Sequence, residues 1–490
     1  MPAAKKAKVR IRCYRQGFGD CFLLSFDTGK KRPCQVLIDC GLWPSGAAHT
    51  KTMRAIVDDV AKQTGGTDTK RGEIDVLVAT HEHWDHLSGF NQARDIFEKK
   101  LHVRNVWLAW TEDLKDPLSK TLRQEQEKKK KAAKHVRDKL KKLSGSPGFS
   151  AAGQSALKQL DSLLGFFGAT DSQGGVEGAM AFIREGWSGP NRSFHNPGAL
   201  LDLPGVDGVR VYVLGPPRDR DLLRRESSSK EGALYELFFG LTLEDSLLAA
   251  LGALDHDVAR FRNPDEIGKP FDASHRYSVD LESAKNPAAA LPPDLADFFN
   301  RHYSDEPWRR IDTDWLHAGG ALALRMDKGI NNTSLVLAFE LPDGRVLLFP
   351  GDAQLGSWES WHDPKNVWPN RKSGGEQIKA RDLLNRTVFY KVGHHGSHNA
   401  TAQDLGLELM NDPDLTAFVP ISHEMALAND WDRIPLTGLV RQLRQHTQGR
   451  VWFALEYDKD GKDFTNPQSA ALKKLVKEDK PGNLWLEFAL

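Results

Sequence analysis

Ile74-Asp75-Val76-Leu77-Val78-Ala79-Thr80 is a short, mostly apolar run that leads directly into His81-Glu82-His83-Trp84-Asp85-His86. The first part reads as a buried strand. The second sets three histidines and an aspartate where a strand gives way to a loop, so their side chains can turn toward one point. Neutral imidazole and carboxylate are good ligands for Zn(II) and related divalent metals. In such a loop His81 and His83 can share one metal, and Asp85 and His86 can turn toward a second.

Strand signals flank this run on both sides. Upstream, Val9, Ile11 and Cys13 alternate with charged residues, Gly17-Phe18-Gly19-Asp20 is a turn signal, and 21–26 and 35–38 read as further strands. Asp39-Cys40-Gly41 closes the last of these, and 55–63 reads as a helix. Downstream, strands are expected at 103–110, 209–214, 334–339, 345–349, 387–392, 416–421 and 450–457, with an amphipathic helix at 436–446. Pro342-Asp343-Gly344 supplies a hairpin turn. Two of these strands run into further candidate donors, Gly351-Asp352 and Gly393-His394-His395-Gly396-Ser397.

Composition sets the limits. The 490 residues are 40% hydrophobic, enough for a sizeable core. Mean hydropathy is -0.50, and no apolar run approaches the roughly 18–20 residues of a membrane span. The N-terminus lacks the apolar stretch of a secretory signal. Sixty-seven basic against 66 acidic residues give a net charge of +1, which excludes a uniformly basic polyanion binder. That balance hides a local excess: 111–143 carries twelve Lys/Arg against six Asp/Glu, a local +6, and reads as a long exposed helix. Cys13, Cys21, Cys34 and Cys40 form no CxxC pair, which removes a cysteine zinc knuckle and leaves free thiols of a reducing cytoplasm. No GxSxG or P-loop motif competes with the histidine cluster.

The HxHxDH pattern resembles the metallo-β-lactamase superfamily. The resemblance implies an α/β fold, a four-layer αββα sandwich enlarged by a mainly helical insertion. The expected organisation is 1–217 as the N-terminal half of the core, with a basic helical insert at 111–150, then an insertion or cap at 218–325, then 326–490 as the C-terminal half. It also implies a metal-ligand set of His81, His83, Asp85, His86, Asp352 and His395, with Asp39 orienting a ligand histidine from behind. The metals would be two Zn(II), with Mn(II) as the alternative. Four segments are similar to the soluble hydrolase domain of the competence protein ComEC: Gly17-Phe18-Gly19-Asp20, the stretch from Asn331 to Leu337, Gly351-Asp352-Ala353, and the stretch from Lys391 to Ser397. One departure stands out. The third histidine that many members place before the bridging aspartate has no clean equivalent; His195, His302 and His317 are candidates, and Asn331-Asn332 can take that structural place.

His394 and His395 are adjacent, so on an extended backbone they would point opposite ways. His395 is then the expected ligand, and His394 a substrate-facing catalytic group that steadies developing negative charge. Asp85 is expected to serve catalysis as well, by holding the nucleophile in line. The expected activity is metal-dependent hydrolysis of a phosphodiester, nucleic acid included. The alternatives are a small ester (a lactone, thioester or phosphocholine diester) and an inactive binding protein. Trp358 and Trp361, near Asp352, read as packing residues, with stacking on a base or choline headgroup as the alternative. No membrane partner is expected.

Overall fold

Consecutive strands feed two β-sheets, and the chain crosses between them more than once. In the computed structural model the described residues are 9–144, 151–168, 174–187, 189–225, 293, 297–298, 301, 329–369, 377–429, 431, 433–459, 461–480 and 482–490. Most of the expected 218–325 insertion, with His302 and His317, lies outside them. In chain order the first strands are β1 (Val9–Tyr14), β2 (Phe22–Phe26), β3 (Cys34–Ile38), β4 (Gly72–Ala79), β5 (Leu101–Ala109), β6 (Asn191–His195), β7 (Leu200–Asp202), β8 (Arg210–Gly215), β9 (Val336–Glu340) and β10 (Val346–Phe349). Then come β11 (Val367–Pro369), β12 (Gln377–Lys379), β13 (Thr387–Lys391), β14 (Thr416–Val419), β15 (Val451–Phe453), β16 (Tyr457–Lys459), β17 (Lys462–Phe464), β18 (Val476–Glu478) and β19 (Trp485–Ala489). One sheet has the order β18-β19-β1-β2-β3-β4-β5-β6, the other β15-β14-β13-β10-β9-β8-β7, and β11-β12 and β16-β17 are separate pairs.

Side-chain alternation makes these two sheets a sandwich. Ile11, Phe22, Val76 and Val78 of the first sheet share one buried core with Val211, Phe339, Phe349 and Phe418 of the second. Phe22 meets Phe349 and Phe418 edge-on across it, at 5.6 and 5.8 Å between centroids. The alternate residues face the other way, onto helices. Leu37 and Leu77 share a cluster with Met53, Ile56 and Val60 of α1 (Ala47–Gln63), and that cluster includes Leu348 and Tyr390 with Trp358 and Leu383 from the helices Leu355–Trp361 and Ala380–Leu384. Helices thus cover the outer face of each sheet, which is the expected mixed α/β sandwich.

The two halves of the sequence do not map one to each sheet. β7 and β8, before the insertion, pair into the second sheet beside β9, and β18 and β19, at the far end of the chain, complete the first. β19 runs antiparallel to β1, Arg10 opposite Ala489. By its contacts the chain divides into two units, one of 1–125, 164–228 and 327–490 and one of 126–163 and 229–326. The first holds both sheets. In the second, Arg137 of α2 (Pro117–Leu143) pairs with Asp161 of the helix Ala151–Phe166 at 3.2 Å. The basic segment is therefore helical as expected, although Lys129 and Lys130 are half-buried. Among the described residues no helix is long and apolar enough to cross a membrane.

Two parallel pairings place the site. β3 and β4 run side by side, Ile38 opposite Val78, so their C-terminal ends reach the same edge. β10 and β13 do the same in the other sheet, Leu348 opposite Tyr390. Leu335 N–H donates to the Thr80 carbonyl (2.9 Å), tying the approach to β9 to the end of β4.

Candidate metal centre

Asp39 follows β3 and sits at φ 54, a conformation that aspartate tolerates better than most residues. Its Oδ1 accepts from the Thr80 N–H (2.8 Å) and its Oδ2 from the Thr80 hydroxyl (2.7 Å). The same Oδ2 lies 2.8 Å from His86 Nδ1. His86 thus donates Nδ1–H to Asp39 and turns Nε2 the other way. Because the Thr80 hydroxyl gives its proton to Asp39, it receives the Nδ1–H of His81 at 3.0 Å. His81 then presents its Nε2 lone pair to His83 Nδ1, 3.1 Å away.

The other sheet supplies Asp352 and His395. His395 donates Nδ1–H to the Pro420 carbonyl (2.6 Å), and its Nε2 lies 2.8 Å from Asp85 Oδ2. His86 Nε2 lies 3.2 Å from Asp352 Oδ2 and 3.5 Å from Asp85 Oδ2. His395 Nε2 to Asp352 Oδ2 is 3.8 Å. Two donors at ~2.05 Å on a tetrahedral zinc are separated by about 3.3 Å, and these spacings bracket that value. All four side chains are buried, yet His86 Nε2 and Asp85 Oδ1 make no hydrogen bond. Buried polar atoms left so are rare without an ion or water to meet them. The residues present therefore fit a divalent cation held by Asp85, His86, Asp352 and His395, with His81 and His83 as a second pair alongside.

Charge makes the same point. Burial opposes a proton on His86, but Asp352, Asp85, Asp20 and Asp39 outweigh it and hold its pKa well above the usual imidazole range. Burial alone would raise Asp352, but Lys391 and His86 hold it well below the usual carboxylate range. His81, pushed down by burial and then by His86 and His83, stays neutral. A cation held between these groups would take the place of the His86 proton, which would couple metal uptake to proton release.

The loop packs too tightly for larger residues behind it. A Cβ on Gly41 would lie 2.2 Å from the Asp85 carbonyl carbon, and one on Gly19 2.4 Å from the Gly41 oxygen. Asp20 N–H donates to the Asp85 carbonyl (2.9 Å) across this contact.

One expectation needs correction. His394 and His395 are not on an extended backbone; both have positive φ, 41° and 53°. The chain coils there, and the two rings separate because His394 is held by its own polar neighbours. Its ring nitrogens meet Ser397 Oγ (2.7 Å), Gln354 Nε2 (3.2 Å) and Asn331 Nδ2 (3.3 Å), while its backbone N–H donates to Asp352 Oδ1 (2.9 Å). His195 ends β6, bonds Ser193 and packs on Trp107. It belongs to neither cluster of candidate ligands among the described residues. Burial pushes its pKa down to about 4. Trp358 and Trp361 are fully buried, their indole N–H groups spent on the Ala400 carbonyl and the Ser357 hydroxyl, so they are the packing residues expected rather than stacking groups. Of the asparagine pair, Asn331 reaches His394, whereas Asn332 accepts from the Gln354 and Ser357 N–H groups and is structural.

The sequence reading also left residues out. Thr80, Asp20 and Lys391 all join the network. Lys391 Nζ lies 2.5 Å from Asp20 Oδ2 and 3.0 Å from Asp352 Oδ1. A signal existed, a lone lysine at the end of the apolar run Val388-Phe389-Tyr390. Glu82, inside the motif, turns away to Arg123 (3.0 Å), beside a buried Glu112 and Arg184.

No curated protein matches the chain. Residues 16–153, the stretch that carries β2 to β5 and the whole His81–His86 motif, match the family model for the metallo-beta-lactamase superfamily.

Proposed function

We propose that this protein is a metal-dependent hydrolase of phosphodiesters, with nucleic acid as the leading substrate class. The observation that carries the hydrolase reading is the set of four buried donors from both sheets, Asp85, His86, Asp352 and His395, spaced 2.8–3.8 Å along its measured edges. The phosphodiester reading draws support from the segments similar to the ComEC hydrolase domain and from the +6 stretch at 111–143, which attracts polyanions.

When bound, two divalent ions, Zn(II) or Mn(II), supply Lewis acidity and a hydroxide near neutral pH. His81, His83, Asp85, His86, Asp352 and His395 would hold them. Asp39 fixes the His86 ring through Nδ1. Asp85 Oδ1, free of other hydrogen bonds, accepts from the attacking water and keeps it in line. His394 faces the substrate, its ring fixed by Ser397 and Gln354. Four free buried cysteines suit a reducing, cytoplasmic setting.

The test is to incubate the Zn(II)- or Mn(II)-loaded protein with single- and double-stranded oligonucleotides, bis(p-nitrophenyl) phosphate, a lactone and a thioester, with Asp85→Ala as control. Cleavage of oligonucleotides by wild type alone supports the reading. Equal cleavage by the variant sinks it, and turnover confined to the lactone or thioester moves the protein to small esters.

A further inference from the structure

We propose that Lys391 is a positioning residue that locks Asp352, so that a single carboxylate oxygen, Oδ2, faces the metal centre. This rests on the metallohydrolase reading above. Lys391 ends β13, whose residues are all buried, and is itself only 1% exposed. An ammonium has three N–H donors, and three acceptors stand within reach: the Gly351 carbonyl (2.8 Å), Asp352 Oδ1 (3.0 Å) and Asp20 Oδ2 (2.5 Å).

Asp352 Oδ1 also accepts the His394 backbone N–H at 2.9 Å. Both of its lone pairs are therefore engaged on the side away from the ligand histidines. Oδ2 is left toward His86 Nε2 and His395 Nε2, at 3.2 and 3.8 Å. The carboxylate cannot rotate to offer both oxygens without stripping an ammonium and an amide of a partner in a dry interior, which is costly. Asp20 fixes the far side of the lysine, and its backbone N–H is bonded to the Asp85 carbonyl. One lysine thus couples the bridging-position carboxylate of the second sheet to the motif loop of the first.

The measurement is Zn(II) affinity by competition with a chromophoric chelator, on wild type, Asp20→Asn, Lys391→Met and the Asp20→Asn/Lys391→Met double variant, each checked for native circular dichroism. The double variant guards against misfolding, because it removes the lysine together with one of the carboxylates it neutralises. Loss of a partner behind a metal ligand typically weakens affinity by about 10–100-fold. That loss is expected in Lys391→Met, and in the double variant over and above whatever Asp20→Asn loses alone, because Asp20→Asn leaves Lys391 on Asp352 and Gly351. Wild-type affinity in the double variant, or an equal loss in Asp20→Asn, overturns the positioning role and leaves the metal centre standing. A wild type that binds no Zn(II) overturns the metallohydrolase reading itself.

Discussion

Two buried charged clusters flank the same short loop, and they differ in charge balance. On one side Asp20, Asp39, Asp85 and Asp352 are gathered, with Lys391 as their fixed cation. On the other side Glu82 and Glu112 meet Arg123 and Arg184. The second cluster neutralises itself and reads as a structural clamp between the loop and the start of α2. The first is short of positive charge, raises the pKa of His86 to compensate, and leaves donor atoms without hydrogen bonds. A buried cluster that carries more anions than fixed cations fits a divalent cation.

The largest expected break in this contrast is on activity. Asp352→Ala or Asp85→Ala should cut kcat/KM by at least about a thousandfold while leaving the circular dichroism spectrum native, since the loss falls on the reacting centre. The clamp should behave the opposite way. Arg123→Ala removes the nearer guanidinium from two buried carboxylates and should cost about 3–5 kcal/mol of stability by urea denaturation. A loss of affinity for Zn(II) larger than the loss of stability would blur the distinction between the clusters.

Next in size, Asp39→Asn keeps the shape but weakens the hold on His86 Nδ1, and metal affinity should fall by about 10–100-fold in a chelator competition. The smallest effect is on pH. Burial and then Glu82 push the Glu112 carboxyl up to about 7. In the window from about 4.5 to 7 the folded chain binds the extra proton and the unfolded chain does not. That stability is complete below the window and is lost as pH rises through 7. Wild type should therefore lose on the order of 2 kcal/mol between pH 5 and 8 at this residue, and Glu112→Gln should flatten the profile. A variant with the same slope as wild type would assign the pH dependence elsewhere.

Much of this was legible in the sequence because it is local. The HxHxDH run, the aspartate after β3 and the donors after β10 and β13 each sit at a strand end, and strand ends in parallel register converge. What was not legible depends on contacts between distant segments. Lys391 reads as a strand-end lysine until Asp20 is brought to it from across the sandwich. Sequence leaves Trp358 and Trp361 open between packing and stacking, and the helix Leu355–Trp361 decides it by turning them into the core. The coil at His394 and His395 comes from two successive positive φ angles, which residue type does not announce. The exchange of β18 and β19 into the first sheet follows from pairing with β1, not from any pattern within them.

The most direct measurement is elemental analysis of purified protein beside its Asp85→Ala/Asp352→Ala variant, after reconstitution with Zn(II) or Mn(II) and removal of excess metal. Wild type should retain about one to two equivalents of transition metal per chain, and the variant well under one. Metal-free wild type after reconstitution, or equal content in the two proteins, contradicts a metal centre at Asp85, His86, Asp352 and His395.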